Sequence, residues 1–138
     1  SNIEFSGIGF GSADYCASTG GDMGKASLAY GRGKIINAAA LYNTLALDGV
    51  WLDFRDPDGC REETLYVKTM GFKGRFAIHP DQIKPIHDAY KPTNEELIWA
   101  KGVVEASKTA GTGAFNYEGK MVDAPVLERA KMIINREA

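Results

Sequence analysis

Apolar positions along the chain fall into short bursts separated by longer helical patterns. Three bursts read as strands: Gly7-Ile8-Gly9-Phe10, Val50-Trp51-Leu52-Asp53-Phe54 and Arg75-Phe76-Ala77-Ile78. Each is short and bounded by Gly or Pro, as strands buried between helices are. Lys34 to Leu47, rich in Ala, Leu and Ile, predicts a helix; so do Cys60 to Met70 and Asp81 to Tyr90. Thr93-Asn94-Glu95-Glu96 is a capping-box sequence that opens a helix running to about Ala110. A glycine-rich break, Gly111 to Gly119, comes next. The last predicted helix, Val126 to about Arg136, places Leu127, Ala130, Ile133 and Ile134 on one face.

Strands alternating with helices imply parallel pairing through crossover helices, an α/β fold. Chemistry in such folds collects beyond the C-terminal ends of the strands. That rule selects Gly11 to Asp14, Asp53 to Asp58 and Ile78 to Gln82.

Composition narrows the function classes. Hydrophobic residues at 44% and charged residues at 25% are those of an ordinary globular domain. A net charge of -2 gives no electrostatic case for nucleic acid or an acidic membrane surface. No apolar run approaches the roughly 20 residues of a membrane span, and no secretory signal is expected. Cys16 and Cys60 lack metal-type spacing and predict free buried thiols, hence a cytoplasmic or organelle-matrix location.

Each strand end admits two readings. Gly11 lets a ligand approach the backbone, whose next N–H groups suit a carboxylate, and Asp14 is a hard oxygen ligand suited to Mg²⁺. Asp14 equally suits a cap on the following segment. Gly31-x-Gly33 fits no phosphate-binding fingerprint and reads as mobile loop. The carboxylates Asp53, Asp56 and Asp58 around Arg55 form either a ligand cluster or a hydrogen-bonded loop in which Arg55 neutralises Asp53 or Asp56. His79 is a ligand-contact or positional residue, since no Ser or Cys elbow accompanies it. His87 reads as surface or packing. Asp123, two residues before Pro125, reads as the N-cap of the last helix.

Taken in order, these segments resemble the citrate lyase β-subunit family, which includes malyl-CoA, β-methylmalyl-CoA and citramalyl-CoA lyases. The resemblance rests on Phe10-Gly11-x-x-Asp14, Asp48-Gly49-Val50-x-x-Asp53-x-x-Asp56-x-x-Gly59 and Gly71-Phe72-x-Gly74-x-x-x-Ile78-His79-Pro80-x-Gln82. Pro92-Thr93-x-Glu95-Glu96 and Gly119-Lys120-Met121-Val122-Asp123 continue it. It implies the C-terminal part of a (β/α)8 TIM barrel, about three strands within residues 1–91, plus a helical extension over residues 92–138.

The resemblance also implies a chemistry: Mg²⁺-dependent cleavage, or formation, of a 3-hydroxyacyl-CoA, yielding a keto acid and acetyl- or propionyl-CoA. Asp14 falls on the metal ligand, Gly11, Ser12 and Ala13 on the substrate-binding backbone, and Ile78 and His79 on the acyl-CoA border. Asp123 falls on an acid–base residue that reaches the active site of an adjacent subunit, implying a homo-oligomer, a trimer or hexamer. The family's second metal ligand, its substrate arginine and its basic CoA contacts belong to earlier strands, for which these residues hold no counterpart; Glu4 does not substitute. A malyl-CoA thioesterase or a non-catalytic assembly module are the alternative functions.

Overall fold

The computed structural model describes residues 5–111 and 113–137. Glu4 lies outside the described residues. The chain divides into two compact units, the first ending at Tyr90 and the second beginning at Lys91.

In the first unit, β1 (Gly7–Gly9), β2 (Leu45–Asp48) and β3 (Gly74–Arg75) form a parallel sheet in the order β1-β2-β3. Gly9 aligns with Leu47, and Asp48 with Arg75. Helices α1 (Ser12–Thr19) and α2 (Lys25–Leu41) connect β1 to β2, α3 (Pro57–Met70) connects β2 to β3, and α4 (Ile83–Tyr90) follows β3. Such parallel neighbours require crossover helices, because the chain must return to the same sheet end before each strand. Phe10, Cys16, Leu28, Ala39, Ala46, Val67 and Phe72 form the core between sheet and helices. Both cysteines are buried and free, as expected.

The pattern misplaced the second strand. Val50 to Phe54 is bulky and apolar, yet the strand is Leu45–Asp48. The predicted helix from Lys34 to Leu47 instead ends at Leu41, because Asn43 turns the chain at φ 49°, a left-handed conformation no helix continues through. The third strand is likewise shorter than Arg75–Ile78, although the Phe76 N–H still donates to Asp48 O at 3.1 Å. Gly31 and Gly33 are not in a mobile loop: both lie inside α2. A side chain at Gly31 would stand 2.8 Å from Phe10 Cζ, so the small residue permits close helix–sheet packing at the known cost of glycine in a helix. Helix α1 was not foreseen in the sequence; it starts directly beyond β1 and closes on Gly20 at φ 75°.

In the second unit, α5 (Asn94–Ala110) is followed by an antiparallel hairpin, β4 (Phe115–Tyr117) and β5 (Lys120–Val122), and then by α6 (Ala124–Asn135). The expected capping box is formed: Thr93 Oγ1 accepts from Glu96 N at 3.1 Å and Glu96 Oε2 accepts from Thr93 N at 2.9 Å. Thr93→Ala should therefore cost about 0.5–2 kcal/mol, measured by thermal unfolding followed by circular dichroism. Within the glycine-rich break, Phe115–Tyr117 form β4. Glu118 and Gly119 at φ 49° and 77° make its two-residue turn, with Asn116 Oδ1 accepting from Gly119 N at 3.0 Å. Gly102 on α5 leaves room for the Tyr117 ring, which any side chain there would overlap. Ala100, Val103, Val122 and Ala130 form this unit's core, and the predicted face of α6 (Leu127, Ala130, Ile133, Ile134) packs into it. Among the described residues no helix is long and apolar enough to cross a membrane.

Candidate functional site

All three strands of the parallel sheet point the same way, so their C-terminal ends lie on one edge of it. The ends of β1 and β3 flank that of β2, two strand spacings apart, about 10 Å. The sequence-selected segments Gly11–Asp14 and Ile78–Gln82 are thereby brought to the same side of the unit.

At the first strand end, Gly11 is the N-cap of α1 and Asp14 sits in its first turn. No side chain caps this helix, so the expectation that Asp14 acts as a cap is not met. The Asp14 carboxylate is exposed and folds back over Gly11, where a side chain would meet its Oδ2 at 3.3 Å. No hydrogen bond or ion pair engages it among the described residues. Ser12 N donates to Phe10 O at 3.0 Å, and the N–H groups of Ala13 and Asp14 form the positive end of the helix. Ser12 is buried, and its Oγ has no hydrogen-bond partner. It packs against Gly49, where a side chain would overlap it, so the start of α1 is pressed onto the end of β2.

The second strand end is a structured loop. Asp53 Oδ1 accepts from Arg55 N at 3.0 Å, and Asp56 Oδ1 accepts from Gly59 N at 2.9 Å as the N-cap of α3, with Pro57 at its first position. Arg55 lies over the Phe54 ring at 5.4 Å. Its neutralisation of Asp53 or Asp56 is not formed.

At the third strand end, the buried Gln82 acts as a clamp. Its Oε1 accepts from Ile78 N at 2.9 Å and its Nε2 donates to Trp51 O at 2.7 Å, tying the loop after β3 to the loop after β2. Ile78 is exposed. His79 stacks on Phe54 with ring centroids 4.8 Å apart, and its Nδ1 accepts from Asp81 N at 3.2 Å. That acceptance leaves Nε2 as the nitrogen available to a ligand. His87 is exposed on α4.

A charged cluster beneath these ends went unassigned in the sequence. Asp48, fully buried at the end of β2, receives both Nε and Nη2 of Arg32 at 3.1 Å and Nη2 of Arg75 at 2.9 Å. Arg75 also donates to Gly49 O and Thr64 Oγ1, at 3.1 and 3.3 Å. Arg32 Nη2 lies 2.7 Å from Glu63 Oε1. Burial alone would depress the Arg32 guanidinium; the bonds and charges of Asp48 and Glu63 reverse this and leave its pKa raised. Two guanidinium groups thus face two carboxylates. The available signal was an arginine between two glycines, with an Asp closing an apolar strand.

Asp123 belongs to the second unit. It is the N-cap of α6, with Oδ1 accepting from Val126 N at 3.2 Å, as its position before Pro125 suggested. It is half-buried.

Mg²⁺ takes one or two protein carboxylates and keeps several waters. An exposed carboxylate free of hydrogen bonds, at a strand end next to a helix N-terminus, fits one such ligand. Among the described residues no group of three or more His, Cys, Asp or Glu side chains is placed to hold a metal. Asp14 fits as a single ligand and not as a complete centre.

A family model described as C-C bond lyase of the TIM-barrel fold matches residues 33–138. The citramalyl-CoA lyase, mitochondrial, of Rattus norvegicus is 37% identical over 130 residues, which is 91% of this chain and 38% of that protein. A citrate lyase subunit beta-like protein of Mycobacterium tuberculosis is 39% identical over 137 residues, covering 94% of this chain and 50% of the relative. The crystal structure of CitE from Mycobacterium tuberculosis in complex with magnesium, acetoacetate and coenzyme A superposes with a TM-score of 0.82 at 36% identity, over 96% of this chain and 52% of that one. The chain thus spans about half, or less, of the length of these relatives.

Proposed function

This chain belongs to the C-C bond lyase family of the TIM-barrel fold, and from that premise we propose that it forms part of a Mg²⁺-dependent lyase acting on a 3-hydroxyacyl-CoA such as citramalyl-CoA or malyl-CoA. The products are a keto acid and acetyl- or propionyl-CoA. The observation that carries this reading is the exposed, unpaired Asp14 carboxylate beyond β1. A structural neighbour of the same architecture was crystallised with magnesium, acetoacetate and coenzyme A.

Bound Mg²⁺ supplies Lewis-acid polarisation of the substrate oxygen on which charge develops. Asp14 would hold the metal by its carboxylate, together with a further ligand that the described residues do not supply. The backbone of Gly11, Ser12 and Ala13 borders the substrate carboxylate at the positive end of α1; the Gly11 and Ala13 N–H groups bind it, because Ser12 N donates to Phe10 O at 3.0 Å. Ile78 and the His79 ring border the acyl-CoA chain and keep water from the thioester. In the cleavage direction a base from the remainder of the site takes the substrate hydroxyl proton as the C–C bond breaks. Its electron pair passes to the thioester enolate, and the keto acid leaves. Asp123 then delivers a proton to the enolate carbon, within the site of a neighbouring copy in a trimer or hexamer.

The test is release of keto acid from citramalyl-CoA by the polypeptide that joins this chain to the remainder of its barrel, with pyruvate coupled to NADH oxidation. Chelation should abolish release and added Mg²⁺ restore it. Absence of keto acid with both citramalyl-CoA and malyl-CoA would overturn the proposal. The proton role separates from the cap role by substitution. Asn is as good an N-cap as Asp, so Asp123→Asn should leave thermal stability within about 0.5 kcal/mol while lowering turnover by about a hundredfold or more. Equal turnover in that variant would remove Asp123 from the chemistry.

A further inference from the structure

The parallel pairing of β2 with β3 ends early. Phe76 N donates to Asp48 O, and among the described residues no backbone hydrogen bond joins the two segments beyond that point. Diverging strands leave peptide groups on both sides of the gap, and buried ones need partners. The Gln82 side chain, only 1% exposed, supplies them: its Oε1 faces Ile78 N and its Nε2 faces Trp51 O. The amide stands where an intervening peptide group would, accepting from one segment and donating to the other.

Chemistry restricts which residue can do this. Ile78 N only donates and Trp51 O only accepts, so the bridging group must carry both an acceptor and a donor. Methionine, of similar length, has no donor and only a weak acceptor. Asparagine carries the same amide on an arm one methylene shorter.

Each anchor of the bridge leads to an aromatic ring. Ile78 precedes His79, and Trp51 lies three residues before Phe54. Those two rings stack with centroids 4.8 Å apart and planes at 27°. The hydrogen bond His79 accepts, from Asp81 N, stays within its own segment and does not hold the ring against the loop after β2. The bridge between the loops therefore sets the spacing of the rings.

We propose that Gln82 is a positioning residue: by bridging the loops after β2 and β3 it keeps His79 stacked on Phe54, with Nε2 presented to the acyl-CoA. The hold on the ring stands on geometry alone, and its consequence for acyl-CoA rests on the lyase reading.

The chain has two histidines, and the exposed His87 on α4 serves as the internal reference. In ¹H–¹³C spectra of the full chain, at one pH above the histidine range, the Phe54 ring displaces the His79 ring resonances, and Phe54→Leu marks their undisplaced position. Gln82→Met should move them at least half way to that position, with His87 unmoved. Should Gln82→Met not fold, Gln82→Asn is read instead: its shorter arm either breaks one bond or draws the loops together, and the ring shifts either way. A folded variant whose His79 resonances stay in place overturns the proposal. Unfolding of both variants overturns it too, since Gln82 then holds the fold and nothing more specific.

In the polypeptide that carries the remainder of the barrel, Gln82→Met should raise KM for citramalyl-CoA about tenfold and leave kcat within about twofold, because Asp14 stands apart at the end of β1. Phe54→Leu should raise KM similarly and the double variant no further, since both remove one stack. Additive effects, or an unchanged KM, would overturn the route from Gln82 through His79 to the substrate. An inactive parent polypeptide would instead refute the lyase reading and leave the ring measurement to decide the positioning.

Discussion

Replacing Asp48 by alanine should lower the stability of the first unit by about 3–5 kcal/mol, a large share of what a domain of this size possesses. Asp48 is the common acceptor for Arg32 and Arg75, both less than a tenth exposed. Without it, two guanidinium groups stay in the interior with Glu63 alone to balance them. The penalty is the cost of uncompensated charge and exceeds the net value of the intact cluster, because forming the cluster already required desolvating every member. Urea unfolding followed by far-ultraviolet circular dichroism measures it. Adding Arg32→Met to Asp48→Ala should recover part of the loss, since one stranded charge is then removed. A loss below about 1 kcal/mol for Asp48→Ala would show that the cluster is hydrated and not a buried unit.

Asp14→Ala should have the opposite profile. The side chain is exposed and makes no hydrogen bond, so stability should change by no more than about 0.5 kcal/mol. If Asp14 holds the metal, the variant loses Lewis-acid stabilisation worth several kcal/mol, and keto-acid release from citramalyl-CoA should fall at least about a hundredfold. Raising Mg²⁺ should recover part of the activity in Asp14→Asn and none in Asp14→Ala, because an amide oxygen still coordinates weakly. Undiminished activity in Asp14→Ala would move the metal elsewhere. Together the two aspartates separate a residue that holds the fold from one that leaves it untouched.

The exposed and terminal features of the site were legible because their causes are local. Gly11 and Asp14 stand out directly after an apolar burst, Thr93 and Glu96 carry their own capping geometry, and Asp123 before Pro125 defines a helix start. A buried charge has no such local signature. Arg32 and Asp48 are sixteen residues apart, and Arg75 lies twenty-seven beyond Asp48. Only the pairing of β2 with β3 and the packing of α2 on the sheet bring them together.

The sequence by itself determined the alternation of strands and helices, the family to which the chain belongs, and the strand ends that carry the candidate site. Hydrophobic periodicity, capping residues and turn residues act over a few positions and need no partner. Tertiary structure decided where β2 runs, since Val50 to Phe54 has the stronger apolar signal but Asn43 and the Gln82 clamp make it a loop. It also decided that Gly31 and Gly33 lie in a helix pressed against Phe10, and that Arg32 and Trp51 each keep a buried N–H without a partner. Burial and charge compensation are properties of neighbours in space, and a linear pattern does not contain them.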